Sequence, residues 1–194
     1  MVELSGKGVA RTRLKGIDPA RNQAKIVFDG APAERLEGAR GYAIIDELID
    51  RAAILTAFEQ VGGAQACLDM AKAYAVDRYA FGRPIAAFQA IKHKLADVYV
   101  AIELARSNAY YGAWAITAGA AELPVAGAAA RVAATEAFHL ASKENIQTHG
   151  GIGFTWEADC HFYYRRSKLL AVSIGSAPYW KDRLIAALER RNAP

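Results

Sequence analysis

The chain has 194 residues, a formal net charge of +4, 53% hydrophobic residues and 23% charged residues. Its length suits one domain of ordinary size with a short appendage, and its composition excludes a disordered chain because it can fill a packed core. Ala is used heavily, Pro is limited to six residues, and turn clusters are scarce after residue 42. These features favour helices over a β-sandwich or a barrel.

The excess positive charge gathers toward the C-terminal end, and the isoelectric point is near 9.1. Most of these cations stand at helical spacing among apolar residues, as on a solvated helix face, whereas nucleic-acid binding calls for a basic stripe with interleaved aromatics. We therefore expect no nucleic-acid partner, because a site for an anionic, phosphate-bearing ligand makes better use of the charge. The cations concerned are Arg165, Arg166, Lys168, Lys181, Arg183, Arg190 and Arg191.

Neither the two cysteines nor the apolar runs are typical of a secreted or membrane protein. Cys67 and Cys160 form no C-x-x-C pair, as expected for unpaired thiols in a reducing compartment. No apolar run reaches membrane-spanning length and the N-terminus lacks the apolar core of a signal peptide, so we expect a cytoplasmic protein with no membrane partner. Cys160, His161 and His149 lack a suitably spaced fourth ligand, so no metal site is predicted.

Residues 1–40 differ in pattern from the rest of the chain. Val9–Leu14 and Gln23–Phe28 are short segments rich in β-branched or alternating apolar residues, and a turn-forming stretch at 15–19 separates them. They are predicted to be two strands of a sheet whose remainder is absent. Two strands alone are marginally stable, so this piece must lean on the helices, on another chain or on residues outside this sequence.

Residues 41–194 are predicted to form an antiparallel helical bundle, which makes the fold mainly α. Apolar residues recur at three- and four-residue spacing, the pattern of packed helices. The Gly62-Gly63 pair interrupts the first helix and indicates a close helix–helix approach, and the glycines from 150 to 153 exclude a helix there. The predicted helices run from 42 to about 76, from about 88 to the turn at 119–124, from 125 to about 147, from about 157 to 172 and from 178 to 191.

Two glycine-containing breaks in these helices have polar neighbours suited to a phosphate-bearing ligand. Residues 78–89 read R-Y-A-F-G-R-P-I-A-A-F-Q and residues 147–154 read Q-T-H-G-G-I-G-F. An Arg at a helix end suits a pyrophosphate because its guanidinium donates a fixed fork of hydrogen bonds. Paired glycines let the backbone approach a flat or charged ligand closely. Either break alone is better explained as a simple connecting turn than as a ligand site.

Together, the two segments resemble the acyl-CoA dehydrogenase family. Residues 78–89 are similar to its R-x-x-F-G-x-x-I-x-x-x-Q segment, residues 147–154 to its Q-x-x-G-G-x-G-F segment, and Arg165 falls where the family carries an Arg. The resemblance extends from about Gly8 to Leu188. It implies that residues 41–194 are the C-terminal helical domain and residues 1–40 the last strands of the middle β-domain.

The resemblance implies FAD as the cofactor, shared between two subunits. The C-terminal domain of one subunit would contact the adenosine diphosphate part of the FAD held by its neighbour. Arg78 would bind the pyrophosphate, Phe81 would pack against the cofactor and Gln89 would hydrogen-bond it. Where the family usually has a hydroxyl or an amide, this chain has Ala80, which removes one hydrogen bond to FAD.

The second break would hold the other end of the same cofactor. By the same resemblance, Gln147, Gly150 and Gly151 would cradle the adenine of FAD. His149 beside them is expected to serve as a hydrogen-bonding residue at a helix end.

The residue that removes the α-proton of the acyl-CoA thioester is missing from both positions where the resemblance places it. Most members carry a Glu before a Gly in the break preceding the last helix, and here that position is Ile174. A minority carry the base on the first long helix, and here that position is about Ala52. Asp50, two residues away, points to a different face of the helix. No catalytic residue is therefore assigned, and Glu59, Glu157 and Asp159 are expected to be buried or to cap helices.

The sequence thus predicts an FAD-dependent acyl-CoA dehydrogenase subunit, truncated and without a base, that completes the FAD site of a partner. Residues 154–166 resemble bacterial heteromeric enzymes of steroid breakdown more than the fatty-acid enzymes. The implied partners are an acyl-CoA substrate, another dehydrogenase subunit in a homo- or hetero-oligomer, and an electron-transfer flavoprotein as acceptor. The chain alone is expected to be inactive.

Three alternatives remain open from the sequence. They are a catalytic subunit with an unexpected base, a flavin-free helical scaffold that mediates assembly, and a flavin monooxygenase on the same fold. The aromatic residues Tyr110, Tyr111 and Trp114 are expected in the core or in a subunit interface.

Overall fold

A computed structural model of the chain describes residues 1–36, 38 and 41–192. This part folds into five α-helices, two short antiparallel strand pairs and two turns of 3-10 helix at Ile85–Ala87 and Gly150–Phe154. The mainly α fold with an N-terminal strand pair confirms the sequence prediction. The elements are β1 Val9–Leu14, β2 Gln23–Phe28, α1 Tyr42–Asp77, β3 Tyr79–Ala80, β4 Arg83–Pro84, α2 Gln89–Ala118, α3 Leu123–His149, α4 Cys160–Val172 and α5 Ala177–Asn192.

The core lies between α1, α2 and α3, with α3 in contact with each of the other four helices. The inner face of α3 consists largely of alanines, whose small side chains let neighbouring helices approach closely. At Gly63 on α1, a Cβ atom would lie 2.5 Å from the ring of Phe138 on α3, whereas a Cβ at Gly62 would meet no atom within 4 Å. The predicted close approach at the glycine pair is therefore confirmed, and Gly63 is the residue that makes it.

Three local predictions are wrong. The glycine pair does not interrupt α1, which continues to Asp77 because both glycines accept helical backbone angles there. The fourth helix begins at Cys160 and not near 157. The glycine segment after α3 is not irregular but a 3-10 turn, since Gly150 leaves the helix with φ 64° and Gly153 packs against α3. A Cβ at Gly153 would lie 2.7 Å from the carbonyl oxygen of Ile146.

A cation without a carboxylate partner is buried between α1, α3 and α4. Arg131 on α3 is 1% exposed and donates to the Oε1 of Gln60 and the Oγ1 of Thr135, both at 2.6 Å. It also donates to the carbonyl oxygen of Leu170 and, at 2.9 Å, to that of Ser173. These two carbonyls belong to the end of α4, so Arg131 fixes the point at which that helix stops.

The N-terminal strand pair is tied to the helices by ion pairs rather than by apolar packing. The loop between β1 and β2 carries Asp18, which is 2% exposed and accepts a hydrogen bond from Arg166 on α4. Arg166 also donates to Glu59 on α1 at 2.7 Å, and Arg21 of the same loop donates to Glu59 at 3.1 Å. The strands themselves are mostly exposed. Of the three supports predicted for this piece, the described residues show the contact with the helices, at this loop.

Arg166→Met is expected to release this loop from the bundle. The change leaves the buried carboxylate of Asp18 without its cation, at a cost of about 1–3 kcal/mol. Hydrogen exchange should show about a 5- to 150-fold loss of protection at the amides of Asp18, Ala20 and Arg21, since 1.4 kcal/mol is a factor of ten. The core amides of α1 and α3 should keep their protection. Adding Asp18→Asn should restore part of the lost protection in the loop. Unchanged exchange in Arg166→Met alone would show that the ion pair does not hold the loop.

The outer surface of α2 carries aromatic residues that were predicted to lie in the core or in an interface. Tyr111 stacks on Trp114 with ring centroids 5.4 Å apart, and Tyr110 meets Phe58 edge-on at 5.4 Å. Tyr110, Tyr111 and Trp114 are all exposed, so a place in the core of this chain is wrong and an interface remains a prediction. Within the described ranges, no helix has both the length and the apolar character needed to cross a bilayer.

Candidate functional site

The two breaks singled out in the sequence lie at the same end of the bundle. Residue Tyr74, in the last turn of α1, stacks on His149 at the end of α3, with ring centroids 4.3 Å apart and an interplanar angle of 25°. The carbonyl of Tyr74 accepts the backbone N–H of Arg78, and His149 directly precedes Gly150. Because one stacked pair joins the start of each break, the break after α1 and the break after α3 are neighbours in space.

The first break is a two-residue hairpin that displays an aromatic ring. Phe81 and Gly82 connect β3 to β4 with φ values of 53° and 77°, the pair of positive angles that a type I′ hairpin turn requires. A residue other than Gly in this conformation is uncommon and costs about 1 kcal/mol or more, and such strain clusters at ligand sites. The Phe81 side chain is nevertheless 96% exposed, with only its edge against Phe88 at 6.3 Å between centroids.

Arg78 and Gln89 stand on either side of this hairpin. Arg78 follows α1 with an extended backbone, and its carbonyl accepts the N–H of Ile85 at 2.7 Å, which closes the hairpin onto the helix end. Its side chain is exposed and forms no ion pair with any carboxylate of the described residues. Gln89 is the first residue of α2 and is exposed, with its Oε1 3.2 Å from the Nε2 of His93. The Arg78 guanidinium and the amide nitrogen of Gln89 are thus available to a ligand.

The second break presents an open glycine surface. Gln147 is exposed in the last turn of α3, and Gly150 has φ 64° and ψ −136°, a conformation that only Gly adopts readily. A Cβ atom at Gly150 or at Gly151 would meet no atom of the described residues within 4 Å. Packing within this chain therefore does not require glycine at 151, whereas a flat ligand laid against the backbone does.

A surface cavity of about 260 Å³ adjoins Gln147 on the side facing α4. Arg165, which the family resemblance also singled out, lines it, and its guanidinium lies 4.7 Å from the ring centroid of Trp156. Both ring nitrogens of His161 are buried in the wall of this cavity without a hydrogen-bond partner among the described residues. From the sequence, His161 stands out only as a rejected metal ligand, because a lone His on a helix does not signal a place in a cavity wall. The lining residues are Lys143, Ile146, Gln147, Gly153, Phe154, His161, Tyr164 and Arg165.

Both positions expected for the catalytic base are occupied by apolar residues in well-defined backbone. Ile174 lies in the loop between α4 and α5 with φ 53° and is 40% exposed. A β-branched residue with positive φ is an outlier, so the surrounding packing must hold it there. A Cβ atom at the next residue, Gly175, would lie 2.4 Å from the ring of Tyr179. Ala52 is partly buried within α1. Neither residue can accept a proton.

The nearby carboxylates are already engaged or lie on the surface. Asp50 is buried and accepts a hydrogen bond from Arg183 at 2.9 Å, and its pKa is raised mainly by burial, against the opposing effect of Arg183. Glu59 is exposed and belongs to the ion-pair cluster described above, while Glu157 and Asp159 are exposed. Asp159 precedes α4 but its side chain makes no capping bond. The predicted buried or capping roles of these three residues are therefore wrong.

Comparison with known proteins identifies the family of this chain. Residues 39–187 match the family model described as "Acyl-CoA dehydrogenase, C-terminal domain". The chain belongs to the acyl-CoA dehydrogenase family, and the resemblance inferred from the two breaks is confirmed.

The curated relatives carry dehydrogenase names. Acyl-CoA dehydrogenase IpdE2 of Mycobacterium tuberculosis is 48% identical over 122 residues, covering 62% of this chain and 36% of the relative. Acyl-CoA dehydrogenase FadE34 of the same organism is 35% identical over 174 residues, covering 89% of this chain and 24% of the relative. The chain thus spans well under half the length of these relatives.

The fold of this chain is found in full within larger solved structures. A variant of the Tcur3481–Tcur3483 steroid ACAD superposes with a TM-score of 0.91 at 27% identity, covering 100% of this chain and 52% of that one. The ChsE4–ChsE5 complex of Mycobacterium tuberculosis gives a TM-score of 0.87 at 26% identity, with the same coverage of 100% and 52%. The N-terminal strand pair is included in both matches, since each spans the full chain.

Proposed function

We propose that this chain is a subunit that completes the FAD site of an acyl-CoA dehydrogenase oligomer without supplying the catalytic base. The observation that carries the proposal is the contrast between two regions. At one end of the bundle, Arg78 and Phe81 are exposed near the open glycine surface at 150 and 151, and packing among the described residues does not require glycine at 151. At the two base positions, Ile174 and Ala52 carry no ionisable group.

The residues of the end surface fit the diphosphate and adenine of FAD. Arg78 would hold the pyrophosphate through paired N–H donors, and Phe81 would cover the cofactor with an apolar ring. The backbone at Gly150 and Gly151 would lie against the flat adenine, with Gln147 and Gln89 as hydrogen-bonding side chains. FAD, when bound, supplies the acceptor for the hydride that leaves the β-carbon of an acyl-CoA thioester.

The proton at the α-carbon would then leave to a carboxylate of another subunit. General-base catalysis needs an ionisable group within hydrogen-bond reach of the proton, and this chain offers none at either position. The proposed assembly is therefore a hetero-oligomer in the cytoplasm, acting in lipid metabolism. Support for a bulky, steroid-derived acyl-CoA comes from the structural neighbour named as a steroid ACAD. An electron-transfer flavoprotein is the proposed electron acceptor, supported by the electron-transferring flavoprotein named in another neighbour.

Arg78→Ala is expected to strip FAD from the oligomer recovered through a tag on this chain. Losing a charge-assisted contact to the pyrophosphate should weaken FAD binding by about 10- to 100-fold. The ratio of flavin to protein absorbance after dialysis measures occupancy, and acyl-CoA-dependent dye reduction measures turnover. Arg78→Lys should recover only part of the affinity because an ammonium cannot donate the same fork.

Arg51→Ala is the matched control. Arg51 is an exposed Arg on the same helix, paired only with Glu47 in the first turns of α1, so its loss should leave flavin content unchanged. FAD occupancy and turnover that stay at wild-type values in Arg78→Ala would contradict the proposed function.

A second candidate is a flavin-free scaffold that only mediates assembly. The exposed, stacked aromatic surface of Tyr110, Tyr111 and Trp114 favours a role in subunit contact, because large exposed aromatic groups are typical of interfaces. The flavin content of the wild-type oligomer decides between the two. Stoichiometric FAD excludes the scaffold, and a colourless, intact oligomer supports it.

A further inference from the structure

We propose that Arg83 is a second phosphate-binding residue. Ala80 cannot make the neutral hydrogen bond expected at its position, and the charged side chain of Arg83 takes over that contact. The inference rests on the proposed FAD site and adds to it a residue that the sequence motif leaves unassigned. It implies that this end of the bundle binds the pyrophosphate with two guanidinium groups, Arg78 and Arg83, which flank the same hairpin in the sequence.

The register of the hairpin puts Arg83 and Ala80 on one face. In the β3–β4 pair, Ala80 stands directly opposite Arg83, and Tyr79 stands opposite Pro84. Directly opposed residues share a face of the pair with Cβ atoms about 5 Å apart. A ligand group placed to accept from a side chain at 80 is therefore within reach of the much longer side chain at 83. The methyl group of Ala80 leaves that space open.

Stacking on an aromatic ring holds the guanidinium of Arg83 in place. Its central carbon lies 4.2 Å from the ring centroid of Phe88, and the same ring receives the edge of Phe81. Stacking uses only the flat face of the guanidinium, so its N–H groups, which point outward in the plane, stay available to acceptors. Among the described residues no carboxylate pairs with Arg83. Arg83 is thus an ordered, exposed and uncompensated cation next to the displayed ring.

The charge around this cation favours an anion and not a neutral ligand. Phe88, on which Arg83 stacks, is the residue before α2 and provides no side-chain cap, and the first turn of α2 contains no acidic residue. The N-terminal end of the α2 helix dipole adds to the positive potential there. Arg78 lies at the base of the same hairpin, joined to it through the N–H of Ile85. Two guanidinium groups beside one exposed ring match a pyrophosphate that continues into a planar base.

The test compares FAD affinity in four forms of the tagged oligomer: wild type, Arg83→Met, Arg83→Met with Ala80→Ser, and Lys181→Met. Arg83→Met should raise the FAD dissociation constant by about 10- to 100-fold. Ala80→Ser in that background should recover about 2- to 10-fold through a neutral hydrogen bond. Lys181→Met also removes one positive charge, but from α5. Arg183 of α5 pairs with the first turns of α1, at the opposite end of the bundle, so Lys181→Met should leave the FAD dissociation constant unchanged.

Two further readings separate ligand binding from a structural role. Added salt should weaken FAD binding less in Arg83→Met than in wild type, because screening acts on the charge that the variant lacks. The melting temperature of the flavin-free oligomer should be equal in both, since Met still covers the ring of Phe88.

Each outcome has a defined meaning. An unchanged dissociation constant in Arg83→Met, with FAD present in the wild type, overturns this inference and leaves the proposed function standing. Loss of affinity that follows a lowered melting temperature and is not recovered by Ala80→Ser assigns Arg83 a structural role and also overturns it. A wild-type oligomer without FAD overturns both the inference and the proposed function.

Discussion

Arg131→Met is expected to lower the free energy of unfolding by about 2–4 kcal/mol, because it leaves several buried acceptors without a donor. Arg131 donates to one amide oxygen, one hydroxyl and two main-chain carbonyls, and burial lowers its pKa to about 10, so it is charged at neutral pH. Met preserves most of the volume, so the loss reports hydrogen bonding and not a cavity.

Two opposing effects decide the stability of Arg131→Met. Burying a cation is costly, and replacing a buried charge with an apolar residue is sometimes neutral or stabilising. We expect a loss here because the carbonyls of Leu170 and Ser173 cannot turn to water while α4 stays packed. Unfolding by urea measures the change. Arg51→Met, which removes an exposed Arg paired within α1, should stay within about 0.5 kcal/mol of wild type.

The same substitution should loosen the loop at the former base position. Ser173 directly precedes Ile174, whose left-handed backbone is strained and persists only while its surroundings hold it. Hydrogen exchange in the α4–α5 loop should therefore rise in Arg131→Met more than in the rest of the bundle. Stability and exchange both equal to wild type would show that Arg131 is not an anchor.

Gly63→Ala and Gly62→Ala are expected to change stability in opposite directions although the residues are adjacent. The new methyl at Gly63 would lie 2.5 Å from the ring of Phe138, which is buried and cannot move away, whereas the methyl at Gly62 meets nothing. Overpacking in a dense core costs about 1–3 kcal/mol. Ala in an exposed helical position gains about 0.5–1 kcal/mol over Gly.

Each variant serves as the control for the other, because the gain in helix propensity applies to both. The difference between their free energies of unfolding therefore measures the contact between α1 and α3. Thermal or urea unfolding of the two proteins should place Gly62→Ala above wild type and Gly63→Ala below it. Equal stabilities would mean that the helices separate easily at this point, contrary to the close packing of the alanine-rich face of α3.

The regular parts of the fold could be predicted from the sequence because they depend on local periodicity. The long helices follow from apolar spacing, and the break after α1 follows from the glycine and proline of residues 78–84, although the hairpin that forms there was not predicted. The contacts that lock the fold carry no such signal. Asp18 and Arg166 are 148 residues apart, and Arg131 binds carbonyls about 40 positions away, so neither pairing has a period to detect.

The candidate site divides in the same way. Arg78, Phe81 and the glycines at 150 and 151 could be proposed from the sequence because they occupy defined positions of two motifs. Arg83 could not be proposed in that way because the motif leaves its position unspecified, and its placement depends on hairpin register and on the ring of Phe88. The positive φ of Ile174 was also unpredictable, since β-branched residues disfavour that conformation and only tertiary packing imposes it.

The most direct measurement of the central claim is an experimental structure of the oligomer recovered through a tag on this chain and determined with FAD. We predict that the pyrophosphate of FAD lies within hydrogen-bond distance of the Arg78 guanidinium and that the adenine faces the backbone of Gly150. The isoalloxazine ring should lie in a different subunit, with a carboxylate of that subunit near the acyl-CoA. An FAD bound away from this end of the bundle, or an intact oligomer with no flavin, would contradict the account.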